Sequence, residues 1–113
     1  MLFIETPNFT EDIQALLSDD EYAALQRHLS QNPTAGDIIV GTGGLRKVRW
    51  SAMGKGKSGG VRVIYYHVVS RSHIRMILIY RKGIKDDLSP KEKGVLRKIN
   101  AEWRSWIKNY LND

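Results

Sequence analysis

With 113 residues, 42% of them hydrophobic and 27% charged, the chain is long enough for one hydrophobic core, too short for two, and too apolar to be disordered. It has no cysteine, which excludes disulfides and thiolate metal sites and suits a reducing cytoplasm. The net charge of +6 conceals a division: residues 1–44 hold one of the 18 bases and seven of the 12 acids, while residues 45–85 hold eleven bases and no acid. A split of this kind points to a polyanionic partner on one surface. The opening Met1-Leu2-Phe3-Ile4 lacks the basic and long apolar segments of a secretion signal, and no stretch reaches the roughly 18 apolar residues of a membrane span. A cytoplasmic protein with no membrane partner is expected.

Leu2–Glu5 reads as a short strand. Asn8 or Thr10 can cap a helix with Phe9, Ile13, Leu16 and Leu17 at helical spacing. Ser18 and Glu21 form a capping box opening a second helix, with Tyr22, Leu25 and Leu29 on one face; Asn32-Pro33 ends it. Residues 36–44 are a loop with a short extended centre and a glycine cluster at Gly41, Gly43 and Gly44. Strands follow at 45–52, 61–69 and 74–81, joined by a glycine- and lysine-rich loop and by Ser70-Arg71-Ser72, which predicts an antiparallel meander. Ser89-Pro90-Lys91-Glu92 starts a long helix whose Val95, Leu96, Ile99, Trp103, Trp106, Ile107 and Tyr110 make one apolar stripe, with both tryptophans expected in the core. No repeat or linker interrupts the chain, so residues 1–113 are expected to be a single α+β domain in the order β-α-α-β-β-β-α, a small antiparallel sheet packed on helices.

The three histidines, His28, His67 and His73, lack metal-ligand spacing, and neither metal nor cofactor is expected. Gly56-Lys57-Ser58 imitates a phosphate loop, but Ser51 stands where that motif needs glycine and a strand follows where it needs a helix. Lys55 and Lys57 on a glycine-rich backbone nevertheless suit an RNA phosphate. In Leu45-Arg46-Lys47-Val48-Arg49-Trp50, strand alternation puts Lys47 and Arg49 on one face and Val48 and Trp50 on the other. Arg62 shares a face with Ile64 and Tyr66 on the next strand, and the third strand ends in Tyr80-Arg81-Lys82. Cations from three strands can therefore converge on one patch, with a tyrosine at hand to stack on a base.

These residues, in this order, resemble the RelE/HigB family of bacterial toxins, and its HigB branch in particular. The resemblance rests on Gly41-Thr42-Gly43-Gly44-Leu45-Arg46-Lys47 and on Gly54-Lys55-Gly56-Lys57-Ser58-Gly59-Gly60-Val61-Arg62-Val63-Ile64-Tyr65-Tyr66, and it extends to the element order over nearly the whole chain. It implies a RelE-like fold and the toxin of a toxin–antitoxin pair, which cuts mRNA in the ribosomal decoding site and is neutralised by a cognate, helix-turn-helix antitoxin. In such cleavage the 2′-hydroxyl of a nucleotide attacks its own 3′-phosphate and leaves a 2′,3′-cyclic phosphate. By this resemblance Lys47 and Arg49 are the strand-borne basic pair, Arg62 holds the scissile phosphate, and Lys82, or Arg81 beside it, is the basic residue ending the third strand. Arg46, Lys55, Lys57, Tyr66 and Tyr80 are further RNA contacts. The family's catalytic tyrosine beyond the third strand has no counterpart in Asp86-Asp87-Leu88, where Tyr80 or Tyr66 must substitute. A lysine of ordinary pKa, about 10.4, is a poor base at neutral pH, so Lys47 can serve as one only if crowding by Arg49 and Arg62 lowers it. The alternative is a non-catalytic RNA- or ribosome-binding module using the same patch.

Overall fold

Why each element starts where it does follows from local capping chemistry. The computed structural model describes residues 1–52, 60–84 and 87–110; the loop lysines Lys55 and Lys57 lie outside them. After strand β1 (Leu2–Glu5), helix α1 (Pro7–Leu16) begins one residue past Thr6, whose hydroxyl accepts from the Phe9 amide at 3.2 Å. The cap is thus Thr6 rather than Asn8 or Thr10, because Pro7 fits the first helical position and forces the start upstream of both. Helix α2 (Asp19–Gln31) carries the expected capping box, with Ser18 and Glu21 bonded reciprocally at 3.1 and 2.8 Å. Ser18→Ala removes one of these bonds at an exposed position, so a loss of about 1 kcal/mol is expected, read as a lower urea midpoint with an unchanged m-value.

The sheet has five strands in the order β1-β5-β4-β3-β2. Strand β2 (Asp37–Ile38) pairs antiparallel with β3 (Arg46–Trp50), β3 with β4 (Val61–Val68), and β4 with β5 (His73–Arg81) after a short 3₁₀ turn at Val69–Arg71. β1 runs parallel to β5, with Phe3 opposite Ile74. The sheet is therefore mixed, not antiparallel. The helical excursion after β1 carries the chain to the far edge, and the meander brings β5 back beside β1 in the same direction. The extended centre of the 36–44 loop is itself the two-residue strand β2. Gly44, at φ +104°, takes a left-handed conformation open to glycine, and buried Thr42 braces the turn by donating to Ile39 O at 2.6 Å and accepting from the Leu45 amide at 3.2 Å.

One face of the sheet holds the larger core: Phe9, Ile13, Leu17, Leu25 and Leu29 of the α1–α2 region against Val48, Val61, Val63, Tyr65, Ile74, Met76 and Ile79. The other face packs Leu45, Ile64, Ile77 and Leu88 beneath Leu96 of helix α3 (Pro90–Tyr110). Ser89 and Glu92 form a second capping box at its start, at 3.1 and 2.8 Å. The apolar stripe of α3 is only partly covered. Ile107 is buried and Trp103 half-buried under the Arg75 guanidinium, 4.5 Å from its ring, whereas Val95, Ile99 and Trp106 are exposed. The expectation of a core Trp106 fails because the helix turns Leu96, Asn100, Trp103 and Ile107 inward, and Trp106 lies about 100° around the helix from Ile107. Among the described residues no helix is long and apolar enough to cross a membrane.

A bulge in β5 sets what each face carries. Ile64 pairs with Leu78 but Tyr65 with Met76, so Ile77 is an extra residue of β5. An inserted residue reverses the alternation that follows it. Ile74 and Met76 accordingly face the larger core, while Leu78 and Tyr80 face the other side. The Ile77 carbonyl is satisfied by the Thr6 hydroxyl at 2.7 Å.

Candidate functional site

The register aligns Arg49 of β3 with Arg62 of β4 and Arg62 with Tyr80 of β5, one row across three strands; the next row is Lys47, Ile64 and Leu78. Residues directly opposite in a sheet have Cβ atoms about 4.5–5.5 Å apart, where like charges destabilise pairing. Arg49 is exposed and Arg62 is 7% exposed, its Nη1 donating to the Val61 carbonyl at 3.3 Å. Two guanidinium groups in one cross-strand row are arranged for an anion that both can hold.

Tyr80 completes the row. Its hydroxyl is buried and, among the described residues, has no hydrogen-bond partner. Burial first, then Asp87, pushes its pKa above the ordinary tyrosine value, with Arg62 pulling the other way. It is thus a protonated donor at neutral pH. A buried, unsatisfied hydroxyl costs free energy.

Lys47 lies in a cleft of about 550 Å³ with Arg49, Lys93, Asp37 and Asp87 among its walls. Its ammonium contacts the Asp87 carboxylate at 2.9 Å; the hydrogen bond and charge of Lys47 hold the Asp87 pKa below the usual carboxylate range. An anionic ligand must therefore compete with Asp87 for Lys47. The prediction is that Asp87→Asn tightens binding of a single-stranded oligonucleotide, measured by fluorescence anisotropy, by a few-fold, in keeping with the small worth of an exposed pair. Nothing in the sequence marks Asp87 or Asp37 for this cleft, since the position of Asp37 opposite Lys47 depends on strand pairing.

The remaining expected residues separate. Lys82 opens the turn after β5, its amide donating to Gly60 O at 3.1 Å beside the start of β4, and stays near the row. Arg81 pairs with Val61 and belongs to the opposite face from Tyr80. Arg46 also faces away: it donates to Gly36 O at 2.7 Å and Thr34 O at 3.3 Å, bracing that turn. Tyr66 stands four residues along β4 from Arg62, roughly 13 Å at strand rise, with Arg104 over its ring at 5.4 Å. Between the two tyrosines, Tyr80 is the one beside the arginines. His67 is lowered from its ordinary pKa by burial and then by Arg46, on the face away from the row. Strand β4 (Val61–Val68), not a helix, comes after the Gly56-Lys57-Ser58 segment, which itself lies outside the described residues. No group of three metal-ligating side chains occurs among the described residues. The chain matches no protein-family model.

Proposed function

We propose that the chain is a ribosome-dependent mRNA endoribonuclease with RelE-like topology, the toxin of a cytoplasmic toxin–antitoxin pair. The observation that carries this reading is the cross-strand row Arg49–Arg62–Tyr80: two opposed arginines and, in the same row, a buried hydroxyl with no partner among the described residues. In cleavage, the 2′-oxygen of one nucleotide bonds to the adjacent phosphorus while the bond from phosphorus to the 5′-oxygen of the next breaks. The products are a 2′,3′-cyclic phosphate and a 5′-hydroxyl, the proton lost by the 2′-hydroxyl being balanced by one gained at the 5′-oxygen. Negative charge builds on the non-bridging oxygens, and preorganised cations that meet it there lower the barrier. Arg49 and Arg62 take those oxygens, Tyr80 donates a hydrogen bond to the same phosphoryl group, and Lys47 and Lys82 add positive charge at the rim.

The test is induction of the wild-type chain in a bacterial host, with cellular mRNAs mapped for new 5′ ends. Growth arrest with cuts in register with the reading frame is the expected result. A folded protein that causes neither arrest nor cuts sinks the nuclease reading and leaves a binding module that docks on RNA or the ribosome through the same patch.

A further inference from the structure

Helix α3 carries a second pattern besides its apolar one. Lys93, Arg97, Arg104 and Lys108 follow one another at intervals of four, seven and four residues, which at 3.6 residues per turn confines them to a stripe about 60° wide and about 22 Å long. Arg97, Arg104 and Lys108 are exposed and Lys93 half-buried. Glu102, the acid between Lys93 and Lys108, falls about 150° around the helix from the stripe's centre.

Both ends of the stripe open into concave surface. Lys93 lines the cleft that holds Lys47 and Arg49. At the other end Arg104 and Lys108 line a second groove, of about 730 Å³, with Arg71 and the end of β4 on its far side. No Asp or Glu is among the described residues lining that groove. Its tyrosine and tryptophan rings each have a guanidinium over one face, Arg104 on Tyr66 and Arg75 on Trp103, which leaves the His67 imidazole as its other ring, so the groove offers cations more readily than stacking platforms.

We propose that this stripe is an RNA track: it carries the phosphodiester backbone of a single strand from the cleft of Lys47 and Arg49, across α3, into the groove of Arg104 and Lys108, without reading bases. The inference rests on the nuclease reading for one point, that the scissile phosphate sits at the cleft. An acidic protein helix is the less suitable occupant. It would need an apolar seam beside the charges, and the exposed Val95, Ile99 and Trp106 lie roughly opposite the stripe on the helix.

The experiment titrates the full chain into a fluorescein-labelled oligonucleotide of about 15 nucleotides, 2′-O-methylated so that it lacks the attacking hydroxyl. Binding is followed by anisotropy from about 50 to about 200 mM KCl. Single strands release about 0.7 of a counterion per neutralised phosphate. Arg97→Gln/Arg104→Gln/Lys108→Gln together should therefore make the slope of log affinity against log salt shallower by about 2, equally for oligo-U and oligo-A. The variant Arg97→Lys/Arg104→Lys/Lys108→Arg keeps the wild-type slope, and circular dichroism melts establish that both variants fold. No binding by the wild type at the lowest salt, or a wild-type slope in the Gln variant, overturns the track. So does a polyglutamate peptide that binds as tightly as the oligonucleotide and loses as much in the Gln variant, which assigns the stripe to an acidic protein. A wild type that never cuts mRNA while the slope changes as expected overturns the nuclease reading and leaves the track; cutting with an unchanged slope does the reverse.

Discussion

Arg62→Ala and Arg62→Met are both expected to lose mRNA cleavage by at least about 100-fold, the scale set by removing one preorganised charge from a developing oxyanion. The methionine variant separates chemistry from folding. Arg62 is 7% exposed, so alanine leaves a cavity, whereas methionine fills much of the same volume without charge. Because Arg62 stands directly opposite Arg49, replacing it with an apolar side chain removes a like-charge opposition. Thermal stability of Arg62→Met should fall less than that of Arg62→Ala while activity disappears in both, because methionine keeps most of the buried volume and loses only the polar contacts of the guanidinium. Arg62→Lys is expected to recover little, since an ammonium cannot grip a phosphate with two parallel bonds. Ribosome pelleting should change far less than cleavage, because many other cations contribute to docking. A variant that melts as the wild type does and still cuts mRNA removes Arg62 from the chemistry.

Much of the fold was legible because it is encoded locally. Both capping boxes rest on side chains three residues apart, and the three meander strands show in short apolar runs bounded by turn residues. The parallel pairing of β1 with β5 joins residues about seventy positions apart, and nothing in Leu2–Glu5 names its partner. The bulge was equally hidden. Met76, Ile77, Leu78, Ile79 and Tyr80 are apolar or aromatic without interruption, so no period marks where the alternation reverses, and the face of Tyr80 could not be assigned. For the same reason Tyr66 and Tyr80 looked equivalent near the patch until the register placed Tyr80 beside Arg62. Lys47 and Arg49 were correctly set on one face because β3 alternates cleanly. Arg46, one residue away, shows the limit: sequence marks it as another basic residue, while its hydrogen bonds make it a brace for the Gly36 turn.

That turn supports the second large expectation. Tyr65 is fully buried, and its hydroxyl accepts from the Gly36 amide at 2.9 Å while donating to Pro33 O at 2.8 Å. Gly36 lies so close that an added Cβ would sit 2.9 Å from the Tyr65 ring and 2.9 Å from Lys47 O. Tyr65→Phe keeps the ring and leaves two backbone groups without their partner, an expected loss of about 1–3 kcal/mol. Tyr65→Ala adds the cavity of a whole ring, about 3–5 kcal/mol, a large share of the roughly 5–15 kcal/mol available to a domain. The sign with pH is fixed as well. Burial raises the Tyr65 pKa above its ordinary value of about 10, so its contribution is complete below the unfolded value and declines as pH rises toward the folded one. Tyr65→Phe should flatten part of that alkaline decline. The functional consequence follows from what the turn leads to: the next residue, Asp37, is paired with Lys47 in the wall of the cleft. In Tyr65→Phe, well below its melting temperature, amide exchange at Gly36 and Ile39 should accelerate and mRNA cleavage should fall, while the salt slope for the oligonucleotide stays as in the wild type. Unchanged cleavage alongside faster exchange would mean that the cleft wall is not part of the machinery, and that the Arg49–Arg62–Tyr80 row works without it.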